Sequence, residues 1–586
     1  MSRSLSPPPA LLIVESPNKT AKIEEMFPGR FKAMATYGHV CDLPRNPKDG
    51  IGINRESMQG DYALTTDSDR RIDGKRAIAN LRAYLKDHPD TEVYLGTDED
   101  REGESIAAFV MKYLKLKSPK RMRFNSITRE KIEHAFTHAD EIDWNAVASR
   151  EARRLIDRII GYVASPLLMR KLKQRGVAAG RVQTAVEALV IERERKIRGH
   201  TAQSYYTVHL DLGGWVADWQ HQAPAPGRQG PKPNSEYDID DSAARCFDHD
   251  RARMVSIQRA LVVLSCDDKT EQRLPPSPFY TFSMVQAANR IFGWDAEKTM
   301  HLAQKLFEGD GSGHGHITYH RTDSPNIEPQ AAEEIRAWLR DEGHAVPDKP
   351  NRWVAKNKNA QEGHEAIRPS YIEVEQAGAT DEQRALYKLI RERALYSQLA
   401  PARYAVKRIV LTDGISSERF AANARVLQDP GWLASPAAKN PVLQDDEEDG
   451  EAAATRLPTL ERGAQVNVRR GEVREHVTKK PPRYTIRTLT AKLEKLGIGR
   501  PATLATILKG VQSKGTIQAR KDGALEATPL AERCYDILYP RFGFAHIGYT
   551  AELEAALDEI ARGQLDGPRV VRHVWDRLDD DVAAVA

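Results

Sequence analysis

The chain has 586 residues, 40% of them hydrophobic, more than one compact core can use, so several domains are expected. With 87 lysines and arginines against 83 aspartates and glutamates, the net charge of +4 excludes a uniformly basic nucleic-acid coat, and any cationic surface must be local. Four scattered cysteines, Cys41, Cys246, Cys266 and Cys534, form no C-x-x-C pair, which argues against a zinc ribbon or a redox site, and they read as buried or indifferent thiols in a reducing compartment.

At the N-terminus the apolar run of "ALLIVESP" is broken by Glu15 too soon for a signal peptide. It reads as a buried strand stopping at Ser16-Pro17, followed by helical spacing in "NKTAKIEEMF". "TEVYLGTDEDREGESIAAFVMKYL" repeats this order, a strand, a polar crest and an amphipathic helix opening near Glu104, and two such units predict a parallel sheet. From about Asp143 to Arg198 apolar residues at three and four spacing lie under arginine-rich faces, a basic helical layer. Residues 201–273 alternate with period two and predict strands. Helical spacing returns from about Tyr280 to Ala400, strands reappear in "ARYAVKRIVLTD" and "GAQVNVRR", and helices close the chain. The strand-rich type brackets a helical insert, so the chain leaves a domain and returns to it. "QDDEEDGEAAA", residues 444–454, reads as a solvated loop. No long apolar span predicts a membrane segment, and no G-x-x-x-x-G-K-[ST] loop offers a seat for a nucleotide.

Chemistry gathers at the first two strand ends. Asp98, Asp100 and Glu102 alternate beyond "EVYLG", so in extended backbone all three point to one side, and Glu15 ends the other strand. Four converging carboxylates repel one another unless a cation joins them, and hard oxygen ligands favour Mg²⁺, which completes its shell with water and phosphate oxygens. A phosphate-bearing substrate is therefore expected. On its own, "DEDREGE" reads equally well as a solvated helix N-terminus. Farther on, "HITYHRTDS" places Tyr319 in a short β-prone run with Arg321 two residues later.

"LLIVESPNKTAKIE" and "GTDEDREGESIA" resemble the Toprim domain of type IA DNA topoisomerases. "REARRLIDRIIGYVASPLL", "AAGRVQTAVEALVIERERKI", "PPSPFYTFSMVQAANRIFGW", "KTMHLAQKLFEG", "HITYHRTDS", "GHEAIRPS" and "LEKLGIGRPATLATIL" resemble further blocks of that family in the same order. "HEAIRPS" and "GIGRPAT" are closer to its bacterial topoisomerase I branch than to its topoisomerase III branch. The resemblance implies a multidomain α/β plus α plus β chain forming a toroidal core. Its parts are a Toprim domain over 1–142, a helical base over 143–200 and 478–586, a strand-rich arch over 201–276 and 405–477 acting as hinge, and a helical lid over 277–404 carrying Tyr319.

The same resemblance implies an ATP-independent isomerase that relaxes negatively supercoiled DNA. Tyr319 attacks a phosphodiester to leave a 5′-phosphotyrosine. Glu15 serves as acid toward the leaving 3′-oxygen, Lys19 and Arg321 steady the phosphate, and His364 approaches the acidic cluster. Glu15, Asp98, Asp100 and Glu102 are its implied Mg²⁺ ligands. Arg153, Arg154, Asp157, Arg158, Tyr162, Arg181, Gln183, Arg500 and Thr503 are its implied single-strand contacts. Tyr319 should lie buried against the acids between cuts. The expected partner is single-stranded or negatively supercoiled DNA, with no membrane and no nucleotide cofactor, in a monomer of the cytoplasm and nucleoid. The readings that compete are a topoisomerase III-like decatenase and a Toprim nuclease. Glu99 and His320 stand where the family commonly has proline and methionine. Nothing resembling the family's C-terminal zinc-ribbon extension follows "AELEAALDEIARGQ", so full relaxation is expected to be weaker than cleavage.

Overall fold

The computed structural model describes residues 9–47, 50–66, 73–221, 245–310, 313–355, 365–416, 418–435 and 456–584. Its first unit is a four-stranded sheet in the order Phe31–Ala35, Ala10–Val14, Val93–Leu95, Lys120–Arg121, with every pairing parallel. Parallel sheets are covered on both faces, and this one shows it in period two. Leu11 and Ile13 pack with Ile106 and Phe109 of the helix Arg101–Leu114, while Leu12 and Val14 join the opposite core with Phe124 and Phe307.

The basic helical layer begins with a 29-residue helix, Trp144–Leu172, capped by the Asp143 carboxylate on the amides of Asn145 and Ala146. Its apolar face, including Leu155, Ile159 and Leu167, packs against Leu553, Leu557, Val571 and Trp575 from the last two helices, Ile547–Ala561 and Gly567–Ala583. The base is thus assembled from two distant parts of the chain.

A seven-stranded antiparallel sheet forms the arch, in the order Gln465–Asn467, Ala260–Arg273, Ala402–Thr412, Arg419–Asp429, Val216–Trp219, Ser204–Asp211, Arg470–Val477. Its two edge strands are consecutive in sequence, separated only by Val468 and Arg469. Three Cα steps reach about 11 Å, whereas seven strands laid flat would part their edges by about 29 Å. The sheet must therefore curl until its edges meet. A helix not expected from the alternation, His249–Ser256, covers part of it.

Between the second and third of these strands the chain leaves to build the lid from helices Thr281–Phe292, Ala296–Glu308, Pro329–Asp341 and Asp381–Ser397. Its apolar residues share one continuous core with the Toprim sheet and with Leu489, Leu504 and Leu508 of the base. The lid is seated on both neighbours, so lifting it exposes apolar surface. The acidic loop 444–454 and His364 lie outside the described residues. Among the described residues the cysteines form no disulfide, and no helix is long and apolar enough to cross a membrane.

Candidate active site and its flanking groove

Tyr319 is 3% exposed. Its segment is not the expected strand: Ile317 makes only an isolated bridge to Pro369, and the backbone is held from outside, the Tyr319 amide donating to Asn125 O (2.7 Å) and the Thr318 amide to Arg368 O (2.9 Å). Seating on the first domain takes the Tyr319 amide, while the Thr318 amide pairs within the lid, so no regular ladder forms. The phenol then donates to Asp100 Oδ2 at 2.6 Å. Burial and the adjacent Asp100 push its ionisation well above the ordinary tyrosine value. In this closed state the hydroxyl is therefore protonated and locked to a carboxylate.

The alternation read across Asp98, Asp100 and Glu102 does not persist as extended backbone. The helix starts at Arg101, before the expected Glu104, because the Asp100 carboxylate caps it, its Oδ1 accepting from the Gly103 amide at 2.8 Å. Glu102 then sits in the first helical turn and turns to His39, whose Nε2 lies 2.6 Å from its Oε1. That hydrogen bond holds the Glu102 carboxyl low, at about 2. Asp98 is buried and takes its hydrogen bond from the Lys19 ammonium. Burial works to raise the Asp98 value, but Lys19 and Arg321 outweigh it and hold the carboxyl ionised. Glu15 behaves oppositely: burial, then Asp98 and Asp100, raise it to about 8 against the pull of Lys19 and Arg321.

Cations complete the centre. Arg321 lies 3.7 Å from Asp100 Oδ2. Lys19 is 1% exposed and sits 4.9 Å from the centre of the Phe307 ring, which meets the Tyr319 ring edge-on at 5.3 Å. The lid thus brings an aromatic wall as well as the tyrosine. His320, buried beside them, is held neutral by burial and Arg321, its value falling to about 3.

The donor set suits a hard dication, since the mutual repulsion that raises Glu15 is what such an ion relieves. Among the described residues, however, no three acids, histidines or cysteines already stand as a metal cage. Asp98 and Glu102 are each engaged by a cation or histidine, so holding a metal requires those side chains to exchange partners.

From Asp100 and Arg321 a cavity of about 250 Å³ runs onto the base, lined by Arg150, Arg153, Arg154, Asp157, Arg500 and Thr503 among others. Four of the residues expected on the strand path do not line this cavity. Arg158 donates to the carbonyls of Leu43 and Pro44, and Tyr162 to that of Arg45. Arg181 has no exposed side-chain surface and bonds Asp157 (3.1 Å) and Glu554 (2.9 Å), while Gln183 faces Glu187 and Gly510 O. Arg154 is paired with Asp42. Thr503 precedes the helix Leu504–Ser513 without capping it, leaving that helix start on the groove.

Sequence reasoning passed over His39, Arg150 and Asp323. Asp323 is half-buried on the groove, and its loss of water there raises it to about 6 against Arg500. His39 had a signal, "YGHV" following a strand of the same sheet; Arg150 and Asp323 had none beyond lying inside the quoted blocks or next to them.

A tyrosine presented by a lid to acids at parallel strand ends, with a cationic groove leading away, is an arrangement suited to an enzyme that handles a nucleic-acid backbone. A Toprim domain model matches residues 10–127 and a DNA topoisomerase model matches residues 141–572. The chain is 37% identical over 587 residues to the plasmid DNA topoisomerase I of Xylella fastidiosa, covering 98% of this chain and 84% of that one. To DNA topoisomerase 1 of Pseudomonas aeruginosa it is 32% identical, covering 98% of this chain and 66% of that one. The full-length topoisomerase I of Thermotoga maritima superposes with a TM-score of 0.70 at 28% identity, covering 97% of this chain and 90% of that one. The chain belongs to the type IA DNA topoisomerases, on the bacterial topoisomerase I side, and is an isomerase of DNA topology.

Proposed function

We propose that this enzyme relaxes negatively supercoiled DNA in the cell interior, working as a monomer on single-stranded segments and breaking one strand through Tyr319. The observation that carries the reading is the 2.6 Å bond from the Tyr319 hydroxyl to Asp100 amid Glu15, Lys19 and Arg321. Arg321 opposes the field of Asp100 at the hydroxyl, lowering the cost of the phenolate, and with Lys19 it draws in the scissile phosphate, while the phenol proton passes to its acceptor Asp100. Glu15, neutral below about pH 8, supplies a proton to the departing 3′-oxygen and takes it back on resealing. The groove holds the strand by its backbone, with Arg500 Nη1 buried and without a partner among the described residues.

Asp98, Asp100 and Glu102, with Glu15, are the residues to hold Mg²⁺, which would position the 3′-hydroxyl for resealing. The ester energy kept in the phosphotyrosine makes ATP unnecessary.

The test is denaturing capture of 5′-labelled and 3′-labelled single-stranded oligonucleotides. Protein attached to the 3′-labelled fragment alone, and lost in Tyr319→Phe, supports the reading. Cutting without attachment would instead mark a nuclease, and binding without cutting a scaffold.

A further inference from the structure

The helix that carries Lys19, Pro17–Met26, does more than present that ammonium to Asp98. On either side of Lys19, Asn18 and Lys22 both reach the end of the lid helix Ala296–Glu308. Asn18 Nδ2 donates to Glu308 Oε2 at 2.6 Å, and the Lys22 ammonium donates to the Glu308 carbonyl. The last carbonyls of a helix have no partner inside it and form the negative end of its dipole, so a cation is favoured there.

This grip is buried. Lys22 is 7% exposed and Glu308 4%. Asp310, Glu308 and Glu25 support the charge of Lys22 against burial, which still lowers its ionisation. Gln304 holds the other carboxylate oxygen of Glu308 at 2.9 Å. The lid helix ends at Gly309, φ +76°, where a side chain would run into the Lys22 ammonium at 2.5 Å and into the His314 carbonyl. The glycine leaves room for the cation.

We propose that Asn18 and Lys22 are positioning residues that latch the lid onto the first domain and so set how readily Tyr319 lifts away from Asp100. Both donors stay with the first domain and both acceptors leave with the lid. Opening therefore strips a buried ammonium and a buried carboxylate of partners at the same moment. Two lid amides cross the same seam beyond the latch, Gly315 donating to Ile127 O at 2.8 Å and Tyr319 to Asn125 O at 2.7 Å. They are freed when the lid lifts, so their exchange reports its opening.

The latch is tested without DNA, by hydrogen exchange of the intact protein at the peptide holding Gly315 and Tyr319. Lys22→Met should speed that exchange about tenfold or more, the worth of one hydrogen bond from a charged donor. Asn18→Ala, at an exposed position that cannot unfold the chain, should speed it about threefold or more. Asn18→Asp sets a carboxylate against Glu308 and should speed it further than Asn18→Ala does. Peptides of the strand Ala10–Val14 and the lid helix Asp381–Ser397 should keep wild-type rates, which separates a released latch from a loosened fold. Unchanged exchange in Lys22→Met and Asn18→Ala, acceleration spread equally over those peptides, or Asn18→Asp exchanging no faster than Asn18→Ala overturns the latch. Failure of covalent capture by the wild type would overturn the proposed function and leave these rates untouched.

Discussion

Glu554 lies at the junction that joins the base to itself, and replacing it with glutamine tests how that junction is held. Its side chain has no exposed surface and receives Arg153 at 2.7 Å, Arg181 at 2.9 Å and Arg500 at 3.2 Å. Burial alone would raise its ionisation, yet the three guanidiniums bring it from 4.5 down to about 2. The difference, 4.5 − 2 = 2.5 pH units, corresponds to about 3 kcal/mol at 1.36 kcal/mol per unit. The folded-state value is the lower one, so this stability is present above pH 4.5 and is lost as pH falls through about 2. Glu554→Gln keeps the volume and one acceptor but leaves buried guanidiniums undercompensated, and a loss of about 3–5 kcal/mol is expected at pH 7. Arg181 retains Asp157 and Arg500 retains Asp558, so Arg153 bears most of it. Native-state hydrogen exchange of Trp144–Leu172, Arg181–Gly199 and Ile547–Ala561 reads the loss locally, which suits a chain of several domains. Combining Glu554→Gln with Arg153→Met should cost less than the two separately. A change below about 0.5 kcal/mol, within the range of ordinary surface substitutions, or strict additivity would refute the reasoning.

With divalent metal removed, oligonucleotide cleavage should decline as pH rises through about 8, because Glu15, raised to that value, loses the proton it delivers; in Glu15→Gln this limb should vanish, and its survival would exclude Glu15 as the acid. Lys19→Met strands the buried Asp98 carboxylate, so we expect no covalent capture, an Asp98 ionisation shifted upward by titration NMR, and a stability loss of about 3–5 kcal/mol in urea melts. Glu187, buried beside Thr516, which donates to it at 2.7 Å, is raised by burial to about 7. Its folded-state value is the higher one, so its charge destabilises increasingly as pH climbs from 4.5 through 7. Glu187→Gln should therefore unfold at higher urea than wild type at pH 8, by up to about 3 kcal/mol, with little difference at pH 5.

The sequence by itself determined the parts whose physics is local. A continuous apolar run stopping at Ser16-Pro17 set the first strand and the start of its helix, helical spacing set the base and lid helices, and the ordered blocks around Glu15, Asp98, Tyr319 and Arg500 pointed to the nucleophile and its acids. Tertiary structure decided which charges met. Arg153 finds Glu554 across 401 positions and Arg101 finds Asp558 across 457, at 2.5 Å. No periodicity reports such a pairing, so Arg181 read as a strand contact and is a buried girder. Glu102 read as one of three aligned acids, but the cap at Asp100 rotated it onto a helix and toward His39. Local pattern encodes which side of an element is apolar; which two polar sides then face each other depends on how distant elements pack, and burial decides whether a facing charge binds a ligand or holds the fold.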